Sequence, residues 1–307
     1  MKSFLQTMLN FETEQKVIQI GNVKLGGQPG ENPTVMIGSV FYASHEALLD
    51  EKSGKFDKNL VEKELNEFTE IIEDTKMQGI VDVIGAYPDA LVKECEFVAD
   101  LVDYPFLVDG LNDSSRIPAM ASLQEIGLLD RAILNSIDEA TSDENLEKLK
   151  EINAKNAVLL TFGNRYLFPK QKLKFLKQVL IPKAQKAGIE NFIVDTAVLD
   201  LPSISINFET TQMIKHSVGL PTGFSPANVI YGWEFVKKYG VRARYSAIAS
   251  LMSYSAAAAS DFILYGPIKY AKWVIPAVAL INGVNSYYRK RVLKKEISDR
   301  SPLKAIF

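Results

Sequence analysis

The stretch GIVDVIGAYPDALVKECEFVADLV, residues 79–102, contains one complete unit of the fold. Residues 79–85 are mostly apolar and β-branched, which is typical of a strand buried on both faces of a parallel sheet. Pro88 suits the first turn of a helix, and the apolar residues after it recur at helical spacing. The stretch therefore predicts a β-strand followed by an α-helix, with Asp82 as the polar residue of the strand.

The same strand-then-helix pattern recurs along the chain. Apolar, strand-like runs separated by segments of helical periodicity lie at residues 34–40, 79–85, 105–110, 131–137, 157–163, 191–198, 219–225 and 261–268. Eight such units in a chain of this length predict an α/β fold, a closed (β/α)₈ TIM barrel. A doubly wound open sheet is the alternative, but the glycine fingerprint expected after its first strand is missing.

An N-terminal β-hairpin precedes the first unit of the barrel. The segment KVIQIGNVKLGGQPG, residues 16–30, alternates apolar and polar residues on both sides of Gly21 and Asn22, which predicts a hairpin turn at that pair. Its glycine-rich end lacks the GxxxxGK[ST] pattern of a phosphate loop. We expect residues 1–307 to form a single domain, with residues 1–30 as a hairpin extension.

The overall composition is that of an ordinary globular protein. The 307 residues are 47% hydrophobic and 23% charged, and 35 basic against 37 acidic residues give a formal net charge of −2. The absence of a basic stripe argues against a nucleic-acid partner. The single cysteine, Cys95, excludes an intramolecular disulfide and fits a reducing, cytoplasmic location.

Membrane insertion and a protein-bound metal are both disfavoured. The apolar segment 273–284 is short for a membrane span and contains Pro276. The two histidines, His45 and His216, lie far from each other and from Cys95, so no zinc-binding motif is formed.

Carboxylates and amides occur where the predicted strands end, which is where the active site of a (β/α)₈ barrel lies. Each is separated from the next by one βα unit, so these side chains should converge at one barrel mouth. Carboxylates accept paired N–H donors, and amides both donate and accept. This set suits a flat heterocycle such as a pterin. The residues are Asp82, Asp109, Asn135, Thr161, Asp195 and Asn228.

Residues at strand ends also serve as helix caps, so this alternative needs weighing. Asn112, Asp113 and Ser114 are better cap candidates than Asp109 for the helix after strand three. Thr141 and Ser142 are the better candidates for the helix after strand four, which leaves Asn135 available for a ligand. The connection at residues 39–57 is unusually long for a βα loop. It can be a lid, a partner-docking loop that carries His45, or a solvated insertion.

Several of these segments resemble one known family. KVIQIGNVKLGGQPGENPTVMIGSVFYASH at the start, then GIVDVIGAYPDAL, YPFLVDG, DRAILNSI, FIVDTAV and NVIYGW, are similar to the family of the H subunit of tetrahydromethanopterin S-methyltransferase. Among its members the chain most resembles the bacterial methylcobalamin:tetrahydrofolate methyltransferases of glycine betaine metabolism. The wider superfamily contains the pterin-binding TIM barrels, including dihydropteroate synthase.

The resemblance implies a corrinoid-dependent methyltransferase of one-carbon metabolism. It would move a methyl group from methylcobalamin, carried by a separate corrinoid protein, to N5 of tetrahydrofolate, giving methyltetrahydrofolate and Co(I). The pterin would lie in the barrel mouth and the corrinoid protein would dock over it. A homodimer is typical of such relatives.

The family's site residues transfer to matching positions of this chain. The pterin-binding carboxylates match Asp109 and Asp195, and the amide after strand four matches Asn135. The asparagine that reaches N5 matches Asn228, while Asp82 matches a polar strand-two position more loosely. The resemblance therefore implies catalytic roles for Asn135, Asp195 and Asn228, with all five residues binding the pterin.

Other functions remain open at this stage. Residues 161–185 and 199–212 depart from the methanogen pattern, which leaves the identity of the pterin and the partner unsettled. One alternative is an enzyme of the H-subunit type that uses tetrahydromethanopterin, and another is a protein that docks the corrinoid protein without catalysis. A dihydropteroate synthase-like condensation would need cations near the last strands, where Lys269, Arg242 and Arg244 are the candidates.

Overall fold

The computed structural model describes residues 9–306 and contains twelve strands in that range. The strands are β1 (Val17–Ile20), β2 (Val23–Gly26), β3 (Val35–Val40), β4 (Leu48–Asp50), β5 (Lys55–Phe56), β6 (Gln78–Gly85), β7 (Phe106–Gly110), β8 (Ala132–Ile137), β9 (Asn156–Leu160), β10 (Asn191–Asp195), β11 (Thr222–Phe224) and β12 (Phe262–Pro267). Eight of them close into a parallel barrel in the order β3, β6, β7, β8, β9, β10, β11, β12. The predicted α/β TIM barrel is confirmed.

Helices cover the outside of the barrel. They are α1 (Lys58–Thr75), α2 (Pro88–Leu101), α3 (Asp113–Glu125), α4 (Asp143–Glu151), α5 (Pro169–Phe175), α6 (Ile181–Lys186), α7 (Ile204–Ser217), α8 (Ala227–Ile230), α9 (Gly240–Ala257) and α10 (Ala271–Arg291). A π-helical turn, Leu176–Leu180, joins α5 to α6, and short 3₁₀ segments lie at Glu234–Tyr239, Ile268–Tyr270 and Pro302–Lys304. The π-helical turn falls just before Pro182, which lies in the first turn of α6 and has no N–H to donate.

The barrel strands are apolar on both faces because each face meets other protein. In β6, Ile80 belongs to the cluster inside the barrel, whereas Val81 packs outward against the helix layer. In β7, Leu107 faces inward and Val108 outward. Side chains alternate across a strand, so continuous apolar runs are needed when both faces are buried.

The predicted N-terminal hairpin is also present. β1 and β2 pair antiparallel, and Gly21 at their turn has a φ of +53°. Ile20, Val23 and Leu25 join the apolar cluster inside the barrel, and the side chain of Gln78 at the start of β6 exchanges two 2.8 Å hydrogen bonds with the backbone of Lys24. The hairpin therefore closes the N-terminal end of the barrel. Residues 1–8 of the expected extension lie outside the described part.

The long connection after the first barrel strand is an ordered structure. β4 and β5 pair antiparallel within it, and the ring of Phe56 lies 5.0 Å from that of Phe97 on α2. Buried His45 accepts a 3.0 Å hydrogen bond from the Phe41 N–H through Nδ1, so its Nε2 donates to Glu64 of α1 at 2.8 Å. The connection is thus held against the outer helices.

The apolar C-terminal segment forms part of α10. Val274, Ile275, Val278 and Ala279 are buried in the outer core cluster. No helix within residues 9–306 has the length and hydropathy needed to cross a membrane.

Candidate functional site

Five polar side chains face the barrel interior near the C-terminal ends of their strands. The inward apolar residues of these strands are Ile37, Ile80, Leu107, Ile133 and Ile193. Two positions further along the same strands stand Ser39, Asp82, Asp109, Asn135 and Asp195. Because side chains alternate with a period of two, the polar set occupies the next interior layer, at the mouth.

Ser39 and Asp82 form a buried pair on neighbouring strands. They are register partners in β3 and β6, and Ser39 Oγ donates a 2.6 Å hydrogen bond to Asp82 Oδ2. Asp82 is only 2% exposed. Burial raises the pKa of Asp82 to about 6, although the hydrogen bonds from Ser39 and Asp109 act in the opposite direction.

Asp82 and Asp109 are neighbouring carboxyl groups whose charges interact. Burial, followed by the charge of Asp82, raises the pKa of Asp109 well above its usual range. Asp82 Oδ1 is buried, and no hydrogen-bond donor from residues 9–306 reaches it. Burial and a neighbouring negative charge both disfavour the ionised form of Asp109, and the free Asp82 oxygen is available to a donor from a ligand.

Asn135 lies beside this pair on β8. It is the register partner of Asp109, and its side chain donates to the Asp109 carboxyl group. The backbone carbonyl of Asn135 accepts a 3.2 Å hydrogen bond from Nη1 of Arg116, which also pairs with Asp113 and Asp138. The peptide bond between Asn135 and Ser136 is cis. Arg116 thus ties the ends of β7 and β8 together.

Asp195 ends β10 on the other side of the mouth. It is 8% exposed, and its Oδ1 accepts a 2.7 Å hydrogen bond from the Ala197 N–H. Burial raises the pKa of Asp195 to about 6, while the Ala197 N–H and the charge of Lys172 lower it. The charge of Asp195 also raises the pKa of Asp109, so electrostatics link the two sides of the mouth.

Asn228 occupies a different position from the other four predicted residues. It is exposed and lies in the short helix α8, where its Oδ1 accepts a 3.1 Å hydrogen bond from Ser225 Oγ. No contact joins it to the carboxylate cluster in the part of the chain that the structure describes. The structure therefore brings Asp82, Asp109, Asn135 and Asp195 together, and it leaves Asn228 on the rim.

Helix capping does not account for the clustered residues. Asn112 caps α3 through a 3.0 Å hydrogen bond from the Ser114 N–H, and Ser142 caps α4 through a 3.2 Å bond from the Asn145 N–H. Both are among the cap candidates that the sequence offers. Asp109 and Asn135 remain within their strands and point into the barrel.

Exposed apolar side chains surround the polar cluster. They belong to the connections that follow β7, β9, β10 and β11, and thus to the C-terminal face of the barrel. The residues and their exposed fractions are Leu111 (74%), Phe162 (48%), Phe168 (57%), Leu199 (43%) and Phe235 (55%). We call this set the apolar rim. It provides a surface that a second molecule could cover while the polar cluster holds a ligand.

The clustered side chains offer carboxyl oxygens as acceptors and one amide that both donates and accepts, a set that complements the edge of a polar heterocycle. Within residues 9–306, no group of three or more His, Cys, Asp or Glu side chains is arranged to hold a metal ion. Sequence reasoning missed Ser39 and Lys172. The two-residue spacing from Ile37 could have identified Ser39, whereas Lys172 lies in a lysine-rich helix that reads as a solvated face.

Solved structures share the overall architecture. The dihydropteroate synthase of Yersinia pestis, in complex with a pterine–sulfa conjugate, matches with a TM-score of 0.61 at 12% identity, over 88% of this chain and 100% of that one. The enzyme from Xanthomonas albilineans with 4-aminobenzoic acid gives 0.59 at 14%, over 84% and 95%. At this identity the likeness establishes the TIM-barrel class of fold.

Sequence comparison identifies the family. Residues 13–297 match the model of the tetrahydromethanopterin S-methyltransferase MtrH subunit, and the chain belongs to this family of methyltransferase subunits. The H subunit of the enzyme from Methanothermobacter thermautotrophicus is 33% identical over 95% of this chain and 98% of its own length. The H subunit of the putative mtx methyltransferase of Methanosarcina barkeri is 32% identical, over 89% and 92%.

Proposed function

We propose that this protein catalyses methyl transfer between N5 of a tetrahydropterin, held in the barrel mouth, and the corrinoid of a partner protein. The observation that carries the proposal is the inward polar layer of Asp82, Asp109, Asn135 and Asp195 in a chain of the MtrH family. An apolar interior lies directly beneath this layer, so a flat ring can rest there with its polar edge on the side chains.

The carboxyl groups would hold the pterin by its N–H edge. Asp195 is ionised at neutral pH and accepts paired N–H donors, which gives strong, directional hydrogen bonds. Asp82 and Asp109 offer further carboxyl oxygens, and Asn135 both donates and accepts beside them. Together these groups fix the orientation of the ring and place N5 toward the rim.

Methyl transfer at N5 changes the proton count of that nitrogen by one. The nitrogen releases a proton when it gains the methyl group and takes one up when it loses the methyl group. Asn228, on the rim, would hydrogen-bond N5 and adjust to either state, since an amide both donates and accepts. The corrinoid supplies or accepts the methyl group, and this chain places N5 within reach of it in a water-poor cleft.

The pterin we propose is tetrahydromethanopterin rather than the tetrahydrofolate expected from the first resemblance. Several of the relatives, from three genera, are named for tetrahydromethanopterin, and the identities reach 33% over nearly full lengths. The pterin rings of the two compounds present the same N–H edge, so the inward polar layer suits both. We therefore infer the choice of pterin from the relatives, and binding measurements must test it.

The apolar rim would dock the corrinoid protein. Its side chains lie in the connections after β7, β9, β10 and β11, and they are between 43% and 74% exposed. A partner seated there would cover the mouth and exclude water from the reacting atoms. We infer a corrinoid protein as this partner because the relatives are named as H subunits, that is, as components of larger methyltransferases.

The test combines anaerobic binding and transfer measurements. Calorimetric titration with tetrahydromethanopterin and with tetrahydrofolate should show tighter binding of the former, and absorbance spectroscopy should show methyl exchange with free methylcobalamin. Asp109→Ala, which removes the hydrogen-bonding group altogether, should abolish both signals, while Asp103→Ala, an exposed control before the same strand, should not. Tighter binding of tetrahydrofolate would show that the protein prefers tetrahydrofolate, the pterin that the resemblance first implied. Pterin binding without methyl transfer, even with a corrinoid protein present, would indicate that the protein docks the corrinoid protein but does not catalyse the transfer.

A further inference from the structure

We propose that Lys172 and Asn207 are positioning residues for Asp195. From helices α5 and α7 they hold the two residues that follow β10, and they thereby fix the direction and the charge of the Asp195 carboxyl group. This inference rests on the proposed pterin site, and it identifies the groups that keep Asp195 oriented and charged for binding the pterin. Neither residue faces the mouth, so neither is placed to touch the pterin.

Lys172 is an almost fully buried cation bound only to backbone. The residue is only 2% exposed. Its ammonium group donates to the carbonyl oxygen of Thr196 and, at 2.8 Å, to that of Ala197. Within residues 9–306 its hydrogen-bond partners include no carboxylate. Burying a lysine in this way is costly, and the cost needs a reason beyond packing.

Asn207 already satisfies the same carbonyl groups. It is 1% exposed, and its Nδ2 lies 3.0 Å from the Thr196 carbonyl oxygen, 2.9 Å from Thr196 Oγ1 and 3.1 Å from the Ala197 carbonyl oxygen. A neutral side chain therefore suffices for hydrogen bonding at this position. What Lys172 adds is a positive charge next to the end of β10.

Ala197, one of the two residues whose carbonyl groups Lys172 and Asn207 bind, also orients Asp195. Ala197 has a φ of +52°, a left-handed conformation that a residue with a Cβ rarely adopts. In this conformation its N–H donates to Asp195 Oδ1 at 2.7 Å while its carbonyl meets Lys172 and Asn207. The clamp on the carbonyl side thus stabilises the turn that aims the carboxyl group at the mouth.

Two titratable groups face Asp195. Lys172 on α5 lowers the pKa of Asp195, and the charge of Asp195 in turn raises the pKa of Asp109 on β7. Burial lowers the pKa of Lys172 to about 8, and the charge of Asp195 counters that shift. Both Lys172 and Asp195 are therefore charged near pH 7. Without the cation, Asp195 would take up a proton at higher pH and lose its ability to accept two N–H donors.

The first experiment measures tetrahydromethanopterin affinity of the full-length protein from pH 5.5 to 9. In the wild type the affinity should fall as the pH drops through about 6, the pKa of Asp195. In Lys172→Met the midpoint should rise by about one pH unit, which makes binding about fivefold weaker at pH 6 and nearly unchanged at pH 9. Lys172→Gln is a second neutral variant, used if the methionine variant does not fold.

Two further variants separate charge from hydrogen bonding. Asn207→Ala keeps the cation, so it should weaken binding equally at every pH without moving the midpoint. Lys183→Met is the matched control, because Lys183 also donates to backbone carbonyls, those of Asp138, Glu139 and Thr141. It should lower the unfolding temperature and leave the midpoint at its wild-type value.

A second measurement needs no pterin. The difference in unfolding temperature between each protein and its Asp195→Asn derivative reports the titration of Asp195, and its midpoint should also rise in Lys172→Met. If the wild type binds no pterin, the proposed function fails while this measurement still decides the inference. Unchanged midpoints in both neutral variants would overturn the role of Lys172.

Discussion

Replacing Asp195 by asparagine should make the protein more stable and less able to bind its pterin. The carboxyl group is buried, and its pKa rises from the ordinary 3.8 to about 6 because of that burial. A folded-state pKa above the unfolded one means that the charged form is disfavoured in the native protein. Asparagine keeps the shape and can still accept the Ala197 N–H, but it carries no charge.

The size of the stability gain follows from the shift in pKa. The rise from 3.8 to about 6 is about two pKa units, and each unit corresponds to about 1.4 kcal/mol. The ionised carboxylate therefore costs about 3 kcal/mol. For a chain of 307 residues this corresponds to about 4–5 °C in unfolding temperature. Below pH 3.8 the Asp195 carboxyl group is protonated in both the folded and the unfolded protein and costs the wild type nothing. As the pH rises from 3.8 through about 6, the wild type loses about 3 kcal/mol of stability.

Thermal unfolding followed by circular dichroism from pH 4 to 9 measures this difference. The Asp195→Asn gain should be small at pH 4, grow up to pH 6 and then stay constant. Pterin affinity should fall roughly 10- to 150-fold, the value of one charge-assisted contact of about 1.5–3 kcal/mol. Asp200→Asn is the matched control, because Asp200 is exposed in the same connection and should show neither effect.

Two outcomes would refute this reasoning separately. A gain in unfolding temperature of equal size at pH 4 and pH 8 would show that Asp195 is not a buried titrating group. An unchanged pterin affinity together with the expected stability gain would show that Asp195 is buried but lies outside the binding site.

Three further predictions concern other buried or rim groups. Ser39→Ala removes the donor to Asp82, so it should cost about 1–2 kcal/mol at pH 8, where Asp82 is ionised, and less at pH 5; thermal unfolding at the two pH values measures this. Burial and then the charge of Glu51 raise the pKa of Glu94 to about 8, so the stability of Glu94→Gln relative to the wild type should grow from pH 4.5 to 8 in the same melting series. Asn228→Ala should leave the unfolding temperature within about 1 °C, since the side chain is exposed, and slow anaerobic methyl transfer roughly tenfold or more.

The sequence predicts the barrel and much of its polar layer because both depend on local periodicity. Apolar runs of strand length separated by amphipathic helices leave few alternative folds, and the eight-stranded barrel is observed. Asp82, Asp109, Asn135 and Asp195 converge because each stands two residues beyond an inward apolar side chain on its strand. Spacing alone is enough for that inference.

Groups that act through tertiary contacts were beyond the reach of sequence patterns. The raised pKa values of Asp82 and Asp109 depend on local burial and, for Asp109, on the nearby charge of Asp82 on the neighbouring strand. Lys172 lies among other lysines in a helix whose polar face reads as solvated, and only the packing of α5 against the end of β10 makes it buried. Asn228 was expected in the ring, but the short helix α8 leaves it exposed on the rim.

The polar connection after β3 shows a similar limit. Its composition is compatible with a lid, a docking loop or a solvated insertion. The buried contact of His45 with Glu64 and the packing of Phe56 on Phe97 hold it against the outer helices. These contacts join residues distant in sequence, which no local pattern identifies.

The N-terminal hairpin has a consequence for how the chain acquires its structure during synthesis. Ile20, Val23 and Leu25 are translated long before Phe262 and Leu264 of the last barrel strand, which belong to the same apolar cluster. The hairpin residues must therefore remain without these partners until the last barrel strand has been translated. Contacts of such large sequence separation slow folding. The hairpin that closes the finished barrel is thus an aggregation-prone apolar segment of the nascent chain, and a chaperone that shields it should raise the yield of folded protein.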